Sequence, residues 1–70
     1  MNARELKARM ILKDKTVDKL CTAIGISRSA WFRKVSGESQ FTQGEITDLR
    51  RELQLDDHQT ASIFFNDEVS

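Results

Sequence analysis

The side chains of this sequence best suited to bind phosphates and the edges of bases lie together in residues 28–33. They are Arg28, Ser29, Phe32 and Arg33. An arginine can donate two parallel hydrogen bonds to guanine or to a phosphate, and an exposed phenylalanine can pack on a thymine methyl group or a sugar. The pattern indicates a surface that contacts duplex DNA.

Each of these residues also has an ordinary structural explanation. Surface arginines are usually solvated charges, and Phe32 can pack on a neighbouring helix. For Phe32 alone, packing and DNA contact are equally supported. For Arg28 and Arg33, which share one short helix, we favour DNA.

Two short helices are needed to position this surface. Thr16 is a good N-cap for the first, with Asp18 in its first turn, where a carboxylate complements the helix dipole. Gly25 is expected to end this helix in a left-handed conformation. Between them runs one apolar stripe at helical spacing, made of Val17, Leu20, Cys21 and Ile24.

The second helix is predicted to begin after Ser27, its N-cap, and to end at Gly37. Trp31 and Val35 lie four residues apart and therefore share its inner face. The four side chains of residues 28–33 named above then point outward. Cys21 and Gly25 mark the place where the helices approach closely, and Ile24, Ile26, Trp31 and Val35 lock the pair.

This spacing resembles the helix-turn-helix of the phage repressor and Cro (XRE-type) family of transcriptional regulators. In that family a small residue, usually alanine, is followed four residues later by glycine, as Cys21 is by Gly25. Cysteine is a mild departure, because buried free cysteine behaves as a small hydrophobe. The resemblance extends from about Leu6 to Phe65. It implies an all-α, compact five-helix lambda-repressor-like domain, with the helix-turn-helix at helices 2 and 3.

The resemblance also implies roles for particular positions. Exposed residues near the start of the second helix and one turn later read bases, which here are Arg28, Ser29 and Arg33, with Phe32 beside them. Helix N-termini and the loop into the next helix hold phosphates. The candidates are Thr16, Val17 (through its backbone N–H only), Ser27, Lys34, Ser39, Gln40 and Gln43. Glu38 is expected to point away or to pair with Arg33 or Lys34.

Charge is divided unevenly along a chain whose net charge is zero. Residues 1–37 hold nine Lys/Arg and three Asp/Glu, whereas residues 38–70 hold two Lys/Arg and eight Asp/Glu. The basic half contains the predicted helix-turn-helix, and the local field there governs attraction to phosphate. The acidic half is expected to face away from DNA.

Length and composition restrict the other classes of protein. Seventy residues suffice for one domain, predicted over residues 1–66, with a short acidic tail at residues 67–70. One cysteine and one histidine exclude an internal disulfide and an ordinary structural zinc site, and no cofactor is expected. No apolar run approaches a membrane span, so a cytoplasmic protein is expected. Cys21 is predicted to be buried and His58 to lie on another helix, which argues against an enzyme.

Three further helices complete the prediction. The first spans about Ala3 to Leu12, with Asn2 as N-cap, Glu5 as capping-box partner, Leu6 and Met10 facing the core, and Ile11 or Leu12 beside them. Another follows the Thr42–Glu45 capping box and the Phe41–Ile46 hydrophobic staple, and continues to Leu53 with Ile46, Leu49 and Leu53 inward. The last begins after Asp56 and ends near Phe65.

Two functions remain open at this point. The first is sequence-specific binding of double-stranded DNA as a Cro-like or repressor-type regulator, with a dimer spanning a palindromic site. The second is a protein-binding antirepressor or antitoxin-like adaptor on the same fold, with a regulatory protein as its partner. The last helix carries Ile63, Phe64 and Phe65, of which one or two should close the core and the remainder could form a homodimer surface.

Overall fold

Five α-helices make up the fold in a computed structural model that describes residues 1–65. They are α1 (Ala3–Leu12), α2 (Val17–Ile24), α3 (Arg28–Ser36), α4 (Gln43–Leu53) and α5 (Asp57–Phe64). No strand occurs among these residues, so the all-α prediction is confirmed. The predicted acidic tail at residues 67–70 lies outside the described residues.

All five helices begin at a side chain that accepts a hydrogen bond from the backbone amide three residues later. The N-caps are Asn2, Thr16, Ser27, Thr42 and Asp56. At α4 the bond is reciprocated, because the Thr42 amide donates to Glu45 Oε1 at 2.9 Å. Each such cap stabilises a helix by about 1 kcal/mol, so the boundaries are set largely by local sequence.

The start of α1 differs from the prediction in one respect. Asn2 accepts from the Glu5 amide at 3.0 Å, but the Glu5 carboxylate does not complete a capping box. The Asn2 amide donates instead to Ile63 O at 2.7 Å, and Glu5 Oε1 accepts from Ser62 Oγ at 2.5 Å. The box was predicted wrongly because α5 supplies tertiary partners for both groups.

Ten apolar residues within the described part of the chain form the buried core, with contributions from all five helices and from two loops. They are Leu6, Met10, Leu20, Cys21, Trp31, Phe41, Leu49, Leu53, Leu55 and Ile63. Helix α2 packs against both α3 and α4, and α1 packs against α5. The predicted inward faces of α2 and α4 are confirmed, with Val17, Ile24 and Ile46 partly buried against the same cluster.

The prediction that Ile11 or Leu12 lies beside the core face of α1 is wrong, and the burial of Leu55 was not predicted. Ile11 and Leu12 are 73% and 68% exposed, because the helical period that buries Leu6 and Met10 turns both of them outward. Leu55, in the loop between α4 and α5, is buried, and no helical periodicity in the sequence predicts this. None of the helices among residues 1–65 is long and apolar enough to cross a membrane.

Candidate nucleic-acid interface

A tight turn fixes α2 against α3. Gly25 has φ of +77°, and the amides of Gly25 and Ile26 both donate to the carbonyl of Cys21, at 2.8 and 3.0 Å. The sulfur of Cys21 lies 3.8 Å from the carbonyl oxygen of Ser27, the N-cap of α3. The turn therefore closes directly over Cys21, and a longer side chain at this position would separate the two helices.

A series of aromatic contacts fixes the inner face of α3. Trp31 is buried, and its ring meets that of Phe41 edge to face, with 5.5 Å between centroids. Phe41 meets Phe64 of α5 in the same manner at 5.6 Å. Such pairs are geometrically specific, so they define the rotation of α3 about its own axis.

With Trp31 inward, the four residues predicted to contact bases are all exposed. They are Arg28, Ser29, Phe32 and Arg33. They occupy two successive turns of α3, at helical spacing, on the side away from the core. The structure thus brings these four together on one outer face.

Arg28 is the most constrained member of this face. Its Nη1 donates to Asp18 Oδ1 in the first turn of α2, at 2.6 Å. Its Cζ lies 5.6 Å from the centroid of the Phe32 ring, one turn later in α3. The hydrogen bond to Asp18, with the charge of that carboxylate, raises the pKa of the Arg28 guanidinium further above its ordinary value. The sequence offered no signal for this contact, since Asp18 and Arg28 lie on different helices.

Phe32 borders an apolar groove next to the outer face of α3. Half of its surface is exposed, and it lines this groove together with Leu6, Met10 and Val17. The groove lies at the junction of α1, α2 and α3.

Arg33 and Lys34 are adjacent in sequence but differ in their surroundings. The Arg33 side chain is exposed and makes no salt bridge within residues 1–65. The Lys34 ammonium lies 3.0 Å from Glu45 Oε1, donates to Gln40 O at 3.1 Å and lies 5.8 Å from the Phe41 ring centroid. Lys34 therefore ties α3 to the start of α4.

The same contacts set the ionisation of Glu45. Burial raises the pKa of this carboxyl, but hydrogen bonds from the Thr42 amide and from Lys34 outweigh burial and leave the pKa below its ordinary value. Lys34 was expected either to contact phosphate or to pair with Glu38. The structure pairs Lys34 with Glu45 and not with Glu38, and Glu38 makes no salt bridge among the described residues. The phosphate contact of Lys34 stays a prediction.

The predicted phosphate-contacting positions lie at helix N-termini and in the loop before α4. Thr16 Oγ1 and Ser27 Oγ accept from the amides of Lys19 and Ala30, at 3.2 and 3.1 Å, which leaves each hydroxyl hydrogen free to donate. Val17 is the first residue of α2, where the backbone N–H has no helical acceptor. The loop and α4 positions are Ser39, Gln40 and Gln43, all exposed.

Among residues 1–65, no three or more His, Cys, Asp or Glu side chains are grouped so that they could hold a metal ion. Burial raises the pKa of the Cys21 thiol above its ordinary value, Asp18 adds to the shift, and Arg28 partly offsets it. A buried thiol of raised pKa is a poor nucleophile at neutral pH, and His58 lies exposed on α5.

Comparison with known proteins gives no relative from which to transfer a function. No family model, no curated protein and no solved structure matches the chain.

Proposed function

We propose that this protein binds double-stranded DNA sequence-specifically, using α2, the Gly25 turn and α3 as a helix-turn-helix with α3 in the major groove. The observation that carries the proposal is the outer face of α3. It presents two arginines, a serine and a half-exposed phenylalanine, while Trp31 on the opposite side anchors the helix in the core. A helix of this width fits the major groove, and these side chains match the chemistry of its base edges.

The groups around α3 also suit contact with the phosphate backbone, which supports the proposal. The N-termini of α2, α3 and α4 supply hydroxyls, amides and helix dipoles, which suit anions. Residues 1–37, which include α1, α2 and α3, carry a charge of +6. An arrangement in which this half approaches the polyanion and the acidic half remains outside accounts for a neutral protein with a local positive field.

The biological role that follows is that of a small transcriptional regulator, of the repressor or Cro-like kind that the spacing of Cys21 and Gly25 resembles. Such a protein would act in the cytoplasm by occupying its operator. A homodimer would place two copies of α3 about 34 Å apart on a palindromic site. Ile63 is fully buried, so the proposed dimer surface is reduced to Phe64 and Phe65.

A protein-binding role on the same fold is the second candidate. One observation favours it: Phe65 is 58% exposed and lines a groove with Met1, Gln40, Phe41 and Phe64. An adaptor would bind its partner through this groove and not through α3. Replacing Phe65 by serine would then abolish partner capture, while Arg28→Ala would be silent.

Selection from a pool of random duplexes at fixed salt tests the main proposal. The expected result is enrichment of a defined site whose affinity falls steeply as salt rises, since arginine contacts to phosphate release counterions. Palindromic symmetry in the enriched site would show that a dimer binds. Failure to enrich any site, with weak and salt-insensitive binding, would overturn the proposal.

A further inference from the structure

Asp18 stands in an unexpected place for a protein that binds DNA through α3. It lies in the first turn of α2, its side chain is 72% exposed, and it is adjacent to Val17, a proposed phosphate-contacting position. A free carboxylate there would repel the phosphate backbone. The structure gives it a specific partner instead, because Oδ1 accepts a hydrogen bond of 2.6 Å from Arg28 Nη1.

This contact limits the orientation of the Arg28 guanidinium from one side, and the Phe32 ring limits it from another. The Cζ of Arg28 lies 5.6 Å from the Phe32 centroid, which is the range of a cation–π contact. A guanidinium is planar and carries five N–H donors. With Nη1 engaged by Asp18, the donors on Nε and Nη2 remain as a fork, which matches the O6 and N7 acceptors of guanine.

Arg33 provides the contrast within the same face. It lies five residues later on α3, is exposed, and has no salt-bridge partner among residues 1–65. An arginine that no ion pair restrains suits phosphate, which accepts hydrogen bonds from many directions and carries no sequence information. A restrained arginine suits a base edge, where a small error in orientation loses one of the two hydrogen bonds.

We infer that Asp18 is a positioning residue that commits Arg28 to reading a guanine in the operator, and that Arg33 supplies affinity through phosphate. This inference rests on the proposed DNA binding and adds the base that is read and the residue that enforces the reading. Asp18 contributes discrimination between sequences, and loss of its charge releases Arg28 to contact phosphates indiscriminately.

The test uses the full-length protein and the duplex that it selects. Each guanine of the site is replaced in turn, and Kd is measured at one salt concentration for the wild type, Asp18→Asn, Arg28→Ala and the double variant. One guanine replacement is expected to weaken the wild type by roughly tenfold or more. In Asp18→Asn, the same guanine replacement is expected to change Kd by no more than about threefold. The affinity of this variant for a random duplex should equal or exceed that of the wild type.

Two further variants separate positioning from other effects. Arg28→Lys keeps the charge but lacks the fork, so it loses the guanine preference while retaining affinity for a random duplex. Asp18→Glu keeps the carboxylate and is expected to retain most of the preference. Thermal unfolding of each variant accompanies the binding data. Because Asp18 and Arg28 are exposed, all of them should unfold with the wild-type transition.

Two results would overturn the positioning role of Asp18. An Asp18→Asn protein with the full guanine preference of the wild type overturns the positioning role. So does an effect of Asp18→Asn that persists in the Arg28→Ala background, since the carboxylate would then act independently of Arg28. If the wild type selects no duplex at all, it is the proposed function that fails, and that result is obtained before any variant is compared.

Discussion

The carboxylate of Asp18 and the guanidinium of Arg28 lie 2.6 Å apart and join the first turn of α2 to the first residue of α3. A second contact joins the same two helices, because the sulfur of Cys21 in α2 lies 3.8 Å from the carbonyl oxygen of Ser27, the N-cap of α3. The exposed ion pair contributes little to stability, so the close packing at Cys21 sets the relative orientation on which the proposed docking in a major groove depends. The ion pair orients the Arg28 side chain.

Packing at Cys21 should tolerate a smaller side chain better than a larger one. Cys21→Leu forces additional volume between α2 and the start of α3, and overpacking of this kind typically costs about 1–3 kcal/mol. Cys21→Ala removes only one sulfur and is expected to cost less. Urea unfolding followed by circular dichroism measures both. Equal stability of Cys21→Leu and the wild type would mean that the helices are not held as closely as the 3.8 Å contact indicates.

The buried thiol of Cys21 should make the folded protein less stable in alkali. Burial raises the folded pKa of Cys21 above its ordinary value of 9.0, so the folded state retains the proton longer than the unfolded chain. This contribution is complete below pH 9 and is lost as the pH rises from there through the folded pKa. The free energy of unfolding should therefore fall more steeply above pH 9 in the wild type than in Cys21→Ala. Parallel profiles for the two proteins would contradict the burial effect.

The Lys34–Glu45 pair predicts a loss of stability in acid. The folded pKa of Glu45 lies below its ordinary value of 4.5, so its contribution is present above that pH and is lost as the pH falls through the folded pKa. Glu45→Gln keeps an acceptor for the Thr42 amide but removes the charge beside Lys34. This substitution should lower the free energy of unfolding at pH 7. It should also reduce the difference in that free energy between pH 7 and pH 3.

Glu52→Gln is the matched control for this experiment. Glu52 pairs with Lys15 at 3.4 Å, and its side chain is 31% exposed, compared with 16% for Glu45. Solvent screens the more exposed pair, so its replacement should have the smaller effect. A larger loss in Glu52→Gln than in Glu45→Gln would contradict the ranking of the two pairs by their exposure to solvent.

Substitutions at Ile63 and at Phe65 should differ in their effect on the stability of the monomer. Ile63 is completely buried, and Ile63→Ala is expected to cost about 2–5 kcal/mol in unfolding free energy. Phe65 is 58% exposed, so Phe65→Ser should leave monomer stability almost unchanged. If α5 forms a dimer surface, Phe65→Ser should lower the mass seen in sedimentation equilibrium. An unchanged mass for a dimeric wild type would place the dimer contact elsewhere.

Much of the fold could be predicted because local chemistry determines it. The five N-caps, the glycine C-caps of α2 and α3, and the apolar stripes of α2 and α4 are properties of short segments, and each was predicted at its observed place. The failures involve contacts between distant segments. Asn2 finds its partner on α5, and Leu55 is buried by elements that no local pattern connects to it.

The candidate site shows the same division. Helical periodicity places Arg28, Phe32 and Arg33 on one outer face, and the structure puts them there. Periodicity does not reveal that Asp18 holds Arg28 or that Glu45 holds Lys34, because side-chain pairing depends on how the helices cross. These pairings distinguish three basic residues that look equivalent in the sequence.

The central claim is that the outer face of α3 binds duplex DNA, and a matched pair of charge deletions tests it most directly. Arg33→Ala and Arg51→Ala each remove one exposed arginine, the first from α3 and the second from the last turn of α4. The measurement is the affinity of each variant for the selected duplex as a function of salt. We predict that Arg33→Ala weakens binding about tenfold and reduces the salt slope by about one, while Arg51→Ala matches the wild type. Equal losses in the two variants, or no loss in either, would contradict the account.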